Sequence, residues 1–160
     1  MPGTPILTQL EQAIADCITS MDTGLYHYRW TTVNEPDLAK CEFPCAAIYM
    51  ENDTSLDDPN GPDSGMYMHE TIYRIEVVAR LESEVANPRW AINAELNKAF
   101  DDLLRLFGRN WSLMGYTDTF MYQSSRREYL RTNDIFIPSK LVTYWRAKWE
   151  SDRILTDQVA

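Results

Sequence analysis

Four carboxylates crowd into one stretch of this chain: Asp53, Asp57, Asp58 and Asp63 all fall within residues 52–65. Clustered carboxylate oxygens are the ligands that calcium and magnesium take. A divalent ion held this way could drive metal-assisted hydrolysis of a phosphate or an ester, provided at least two of the acids converge on one pocket. The spacing does not follow the calcium loop of an EF-hand, which wants glycine at its sixth position and glutamate at its twelfth. Counting from Asp53, those positions hold Asp58 and Ser64. The stretch also holds two prolines and two glycines. Turn chemistry without periodicity describes a solvated loop better than a metal site.

Other residues invite chemistry in the same way. Cys41, Cys45, His27 and His69 are of the types that bind zinc, but their spacing follows no known ligand pattern. Cys41 and Cys45 flank the start of an expected strand, where four residues span roughly 13 Å, too far for a disulfide. Cys17 falls on the apolar face of an expected helix and reads as a small buried hydrophobe. Asp101-Asp102 could serve as an acid–base pair, yet neighbours on a helix point about 100° apart. Both are expected opposite the apolar stripe, in solvent. Arg126-Arg127, with Tyr122 and Tyr129, could grip phosphates, or form a protein contact. Trp111, Trp145 and Trp149 would mark an interface if exposed, although a buried core is the commoner fate of tryptophan. No nucleophile elbow, phosphate-cradling glycine loop or dinucleotide fingerprint is present. No catalytic residue, cofactor or metal site is expected, and the chain reads as a non-enzyme.

The bulk numbers agree. A length of 160 residues fits one domain with a sizeable core, and 44% hydrophobic with 12% aromatic residues supplies that core. Apolar runs fall far short of the ~20 residues needed to cross a bilayer. Residues 1–5 carry no cation, and Glu11 and Asp16 break up the next apolar stretch, so neither a membrane span nor a secretory signal is expected. Fifteen basic against 24 acidic residues leave a net charge of −9, which argues against a broad phosphate-binding surface. The charge is also uneven. Residues 1–104 hold 18 acids and six bases, whereas residues 105–160 hold six acids and nine bases. Regions of net −12 and +3 on one subunit could meet their complement on a neighbouring copy, or be no more than scattered solvated charges.

Periodicity gives the elements that carry these residues. Thr4-Pro5 reads as a helix start, with the hydroxyl as cap. Leu7, Leu10, Ile14, Cys17, Ile18 and Met21 then make an amphipathic helix that ends before Gly24. Residues 43–50 form a short apolar run, read as a buried strand with Pro44 at its first rung or on a sheet edge. Residues 66–82 alternate, with Tyr73, Ile75, Val77, Ala79 and Leu81 on one face and Arg74, Glu76, Arg80 and Glu82 on the other. That is the pattern of a sheet wet on one side, and it makes the acidic loop the connection between two antiparallel neighbours. Asn87-Pro88 opens a second helix that runs to Phe107, with Gly108 as its stop. Its buried stripe is Ile92, Leu96, Ala99, Leu103 and Leu106, and Asp101–Arg105 and Lys98–Asp102 are expected to pair on its wet side. Residues 115–122 are a candidate strand, and residues 124–131 an exposed basic connection. Residues 140–149 form a last strand with Leu141, Thr143, Trp145, Ala147 and Trp149 on one face. The expected fold is α+β: a two-layer domain over residues 1–150, with an antiparallel sheet of about four to five strands and two helices on one face. Residues 151–160 form a polar tail.

In this order the elements resemble a family, the tail terminators of long-tailed bacteriophages, which includes the minor tail protein U type. The resemblance rests on the amphipathic first helix and the strand that opens Phe43-Pro44 and continues Ala46-Ala47-Ile48-Tyr49. A Gly- and Asp-rich connection follows, then the alternating strand Ile72-Tyr73-Arg74-Ile75-Glu76-Val77, a long helix, and the closing Leu141-Val142-Thr143-Tyr144. It covers most of residues 4–150 as a succession of elements, not as an invariant motif. It departs at residues 123–139 and in the tail after Glu150. The resemblance implies a structural protein of the virion tail or neck, assembled in the host cytoplasm. The chain would form a ring, typically hexameric, that caps the tail tube, halts its polymerisation and joins it to the head connector. Its partners would be copies of itself, the tail tube protein and the neck proteins, with passing DNA repelled by an acidic wall. No membrane is involved, and the family carries no catalytic residue to transfer. Asp53, Asp57, Asp58 and Asp63 on one side, and Arg126, Arg127 and Arg131 on the other, are the interface candidates. A neck or head-completion adaptor, a metal-dependent hydrolase using the Asp-rich loop, and a small-molecule-binding domain with a deep apolar pocket are the alternatives.

Overall fold

A computed structural model describes residues 3–21, 24–28, 30–32, 44–56, 68–81, 86–129 and 139–150. The elements run α1 (Ile6–Thr19), β1 (Thr31–Thr32), β2 (Cys45–Leu56), β3 (Met68–Ala79), α2 (Pro88–Arg109), β4 (Thr119–Tyr129) and β5 (Ser139–Glu150). The sheet order is β1-β2-β3-β5-β4. The four long strands are each antiparallel to their neighbours, and β1 adds to β2 in parallel through Thr31–Cys45 and Thr32–Ala46. Strand β5 thus fills the slot between β3 and β4, the two strands that α2 connects. The layout is the expected α+β one, with both helices on the same sheet face.

The core follows from the two periodicities. Ala46, Tyr73, Ile75, Val77, Leu141, Trp145, Ala147 and Phe120 project from the sheet to one side. Leu10, Ile14 and Ile18 of α1, and Ile92, Leu96, Ala99, Leu103, Leu106 and Phe107 of α2, meet them. Trp145 lies at the middle of an aromatic cluster, stacked on Phe120 at 5.5 Å and tilted against Phe107 at 4.8 Å. Its indole N–H donates to the Thr143 hydroxyl at 2.8 Å, which in turn donates to the Ile75 carbonyl at 2.9 Å. The polar handle of a buried ring is thereby satisfied.

Several boundaries differ from the sequence expectation, each for a local reason. The Thr4 hydroxyl makes no cap: Pro5 occupies the N-cap position, and the Thr4 carbonyl accepts from Gln9 Nε2 at 2.8 Å. Pro88 does take the first turn of α2 after Asn87. Gly108 does not stop α2. The helix continues to Arg109 and closes at Asn110, whose N–H and Nδ2 both reach the Leu106 carbonyl at 3.0 and 2.9 Å. The chain reverses after that, through Leu113, Met114 and Gly115, all with positive φ. Strand β2 runs through residues 52–56, which the sequence assigns to the loop, because β3 offers a partner for each of them after a bulge at Glu51. Residues 124–129 are likewise the second half of β4, paired with β5, and not an exposed connection. The two-residue β1 escapes any periodicity argument.

The sheet face away from the helices is drier than its alternating charges imply. Cys45, Ala47, Val78 and Val142 are buried there, and Glu76 is 9% exposed. Arg74 lies over the Tyr49 ring at 4.5 Å and pairs with Glu51 at 2.9 Å, its stem covering sheet surface while its charge reaches the edge.

Removing the indole from the aromatic cluster tests this packing. Trp145→Ala is expected to lower unfolding stability by about 3–5 kcal/mol, with Trp145→Phe costing less, as read by urea denaturation followed by circular dichroism. A loss below about 1 kcal/mol for the alanine variant would show that the cluster does not hold α2 to the sheet.

Candidate functional site

Of the acids and bases that the sequence singles out, Asp53 lies on β2 and Arg126 and Arg127 on β4. Asp57, Asp58, Asp63 and Arg131 lie outside the described residues, as does Cys41. Asp53 is a strand residue. The pairing of β2 with β3 sets it across from Thr71, and that of β3 with β5 sets His69 across from Trp149. The Thr71 hydroxyl donates to Asp53 Oδ1 at 2.6 Å, and His69 Nδ1 lies 2.9 Å from Asp53 Oδ2. Trp149 Nε1 donates to Thr71 Oγ1 at 2.9 Å, and the His69 ring stacks flat on Trp149 at 4.2 Å. Both Asp53 oxygens are therefore engaged within the sheet. A carboxylate that orients an imidazole is the base half of a nucleophilic catalyst. Among the described residues no hydroxyl or thiol is hydrogen-bonded to His69 Nε2, so the other half is not supplied by them.

Asp102 corrects the sequence reading most clearly. Expected in solvent, it is fully buried. Its Oδ1 accepts the His27 N–H at 2.9 Å, and its Oδ2 accepts the Tyr28 N–H at 3.2 Å and the Trp30 indole N–H at 3.4 Å. Asp101, one residue earlier, is exposed and pairs with Arg105 at 3.2 Å and with His27 at 3.3 Å. Arg105 also reaches the Leu25 carbonyl at 3.1 Å, and the Tyr28 hydroxyl bonds Glu95. Lys98 pairs with Glu95 at 3.1 Å, not with Asp102, because Asp102 points inward. A signal for this was in the spacing. Asp102 stands three residues after Ala99 and four before Leu106, on the border of the buried stripe.

His27, Asp101 and Asp102 do present ligand atoms within 4.8 Å of one another. A metal there would have to displace the N–H donors that already hold Asp102 and the guanidinium on Asp101. The cluster acts as a clamp that fastens Leu25, His27, Tyr28 and Trp30 to α2. The zinc set of the sequence does not assemble from the described residues either. Cys45 is buried, and the two histidines go to different carboxylates, His27 to Asp101 and His69 to Asp53.

Arg126 and Arg127 are adjacent in β4 and so point to opposite faces. Arg127 turns to the helix side and bonds the Asn93 and Asn97 side chains of α2, where the Tyr129 hydroxyl also donates to Asn93 at 2.6 Å. Arg89 stacks over Tyr129 at 3.9 Å. This network pins the far half of β4 to the helix. Arg126 faces the other way, exposed, beside Glu128. The two arginines do not form one basic patch, and Arg126 alone is presented outward. Exposed apolar side chains lie elsewhere: Trp90, Trp111 and Met114 at the two ends of α2, and Met121 on β4.

Burial raises the Asp102 carboxyl above the usual carboxylate range, and the His27 and Trp30 hydrogen bonds offset this only in part. A raised native pKa means that the native state binds more protons than the unfolded state as the group titrates. Stability from this group is therefore present in acid and falls as pH rises from the ordinary carboxylate pKa to the raised native one. Asp102→Asn is expected to remove that pH dependence. It should also cost roughly 1–3 kcal/mol, since one amide oxygen cannot serve three N–H donors. Denaturation midpoints of both chains between about pH 4 and pH 8 check this; parallel curves would refute it. Compared with family models and with curated proteins, the chain matches none.

Proposed function

We propose that this chain is a structural protein of a phage tail or neck, which assembles into a ring, typically hexameric, that caps the tail tube, ends its polymerisation and meets the head connector. The observation that carries the reading is the succession of elements: a short amphipathic helix, a strand opening on Phe43-Pro44, an Asp- and Gly-rich connection to an antiparallel partner, a long helix and a closing strand. Among the described residues two helices and an antiparallel sheet form a single α+β layer pair with β2 beginning at Cys45, while Phe43 and most of the Asp- and Gly-rich connection lie outside them. Its carboxylates support the reading as well. Asp53 and Asp102, the acids placed for acid–base or metal work, are each committed to hydrogen bonds that hold strands and loop in place.

Charge is distributed differently from the simple division into two halves of the chain. The described residues hold 12 of the 24 acids beside 11 of the 15 bases, so the excess negative charge belongs mostly to the segments between them. Asp57, Asp58 and Asp63 belong to that excess. In a ring, acidic segments at the channel wall would let DNA slide past without sticking.

Negative-stain microscopy of the purified chain mixed with tail tubes tests the reading. A ring at one end of each tube is expected, with tubes growing to a uniform length when the chain is present during polymerisation. Binding along the tube walls, or none, counts against it. Binding to isolated connectors but not to tubes would move the protein to the neck adaptor role. No helix among the described residues is long and apolar enough to cross a membrane.

A further inference from the structure

The sheet ends in two strands whose outer sides no other strand pairs among the described residues. At one end β4 is the last strand, and at the other β1 covers β2 only at Cys45 and Ala46. Beyond those rungs six consecutive residues of β2, 50–55, are exposed, and so are six consecutive residues of β4, 121–126. Such edges carry rows of outward N–H and C=O groups that accept another strand. Each edge holds one bulge, at Glu51 and at Gln123, which adds local twist and so narrows the set of strands that fit.

The two edges are unlike and complementary. Strand β2 carries Glu51 and Asp53 and no base, while β4 presents Arg126 outward beside one acid, Glu128, its Arg127 being turned to the α2 asparagines. Pairing β2 with a second β2 would bring two acidic edges together, which the unlike pair avoids. Within one sheet β2 and β4 run antiparallel, since three antiparallel steps separate them. A neighbour set beside β4 in the same orientation therefore offers its β2 antiparallel. The faces agree too. Met50 shares the helix-covered face with Tyr122, where Tyr122, Phe100 and Leu104 make a partly exposed apolar ledge beside β4. Glu51 reaches the opposite face, where it holds Arg74, and that face carries Arg126.

We infer that β4 of one copy takes the outer edge of β2 from a second copy as an added antiparallel strand, continuing the sheet from subunit to subunit. This rests on the ring reading for the identity of the partner and gives that ring its joint: a heterologous contact, which closes after a fixed number of copies or runs on as a filament.

Charge swapping at the two edges tests it in the full chain. Met121→Glu with Arg126→Glu makes β4 acidic, and Asn52→Lys with Thr54→Lys outweighs Glu51 on the β2 face away from the helices, leaving that face net basic; all four residues are exposed. By sedimentation velocity each double variant alone is expected to self-associate at least about tenfold more weakly than the wild type, and an equimolar mixture to recover to within about threefold. A variant that assembles like the wild type overturns the inference. So does a mixture that stays weak while both variants melt like the wild type, or a wild type that remains monomeric at ~0.5 mM. If a double variant melts early, Arg126→Glu alone and Thr54→Lys alone repeat the comparison. A mixture that reassembles but leaves tail tubes uncapped keeps the edge joint and removes the tail function. Single variants that still cap tubes do the reverse.

Discussion

Burial of the Trp145 indole between Phe107 and Phe120 sets where α2 lies on the sheet, and the positions of the other groups follow from it. The ring belongs to β5, the strand that fills the slot between β3 and β4, so one side chain ties helix, central strand and edge strand together. With α2 fixed there, Asn93 and Asn97 fall beside Arg127 and Tyr129 at one end. On another side of the same helix Asp102 meets the backbone of residues 27 and 28. An interior packed to crystal-like density transmits such a placement over its whole length, because neither helix nor sheet can shift without opening a void.

Among the described residues every buried side-chain polar atom but Arg74 Nε has a hydrogen-bond partner, and the exposed Asp53 is likewise engaged. Asp102 is surrounded by N–H donors, and Asp53 by a hydroxyl and an imidazole. Thr71 and Thr143 each pass a hydrogen bond from a tryptophan N–H to an acceptor on a neighbouring strand. A buried carboxylate is tolerated only when its oxygens are satisfied in this manner, and a group so satisfied exchanges protons or ligands reluctantly. Among the described residues no strand pairs with the outer side of β4, or with that of β2 beyond Ala46.

A subunit with two unlike edges and unlike charges on them is suited to a head-to-tail arrangement. In the proposed ring the acidic excess outside the described residues would add a field that reaches about a Debye length. The two terms have separate signatures. Edge pairing depends on side chains at identified rungs, while the long-range field depends on net charge and ionic strength.

Local pattern in the chain was enough to set the element types and the faces of the core. Both helices show apolar spacings near 3.6, β3 and β5 show a period of 2, and the start of β2 declares itself by a short apolar run. The alternation in residues 140–149 was enough to place Trp145 and Trp149 inward. Where strands stop was settled by the assembled fold, because residues 52–56 and 124–129 are too polar to declare themselves and become strand by gaining a partner. The assembled fold also set the fate of each charge. Asp101 and Asp102 differ by one helical step, and the passing backbone of residues 27–28 draws one inward while the other stays in water. Arg126 and Arg127 look like one basic patch in the chain and become an outward charge and an inward clamp, since successive side chains on a strand point to opposite faces. Periodicity reports whether a residue faces an interior; which groups occupy that interior is a long-range property that no local window contains.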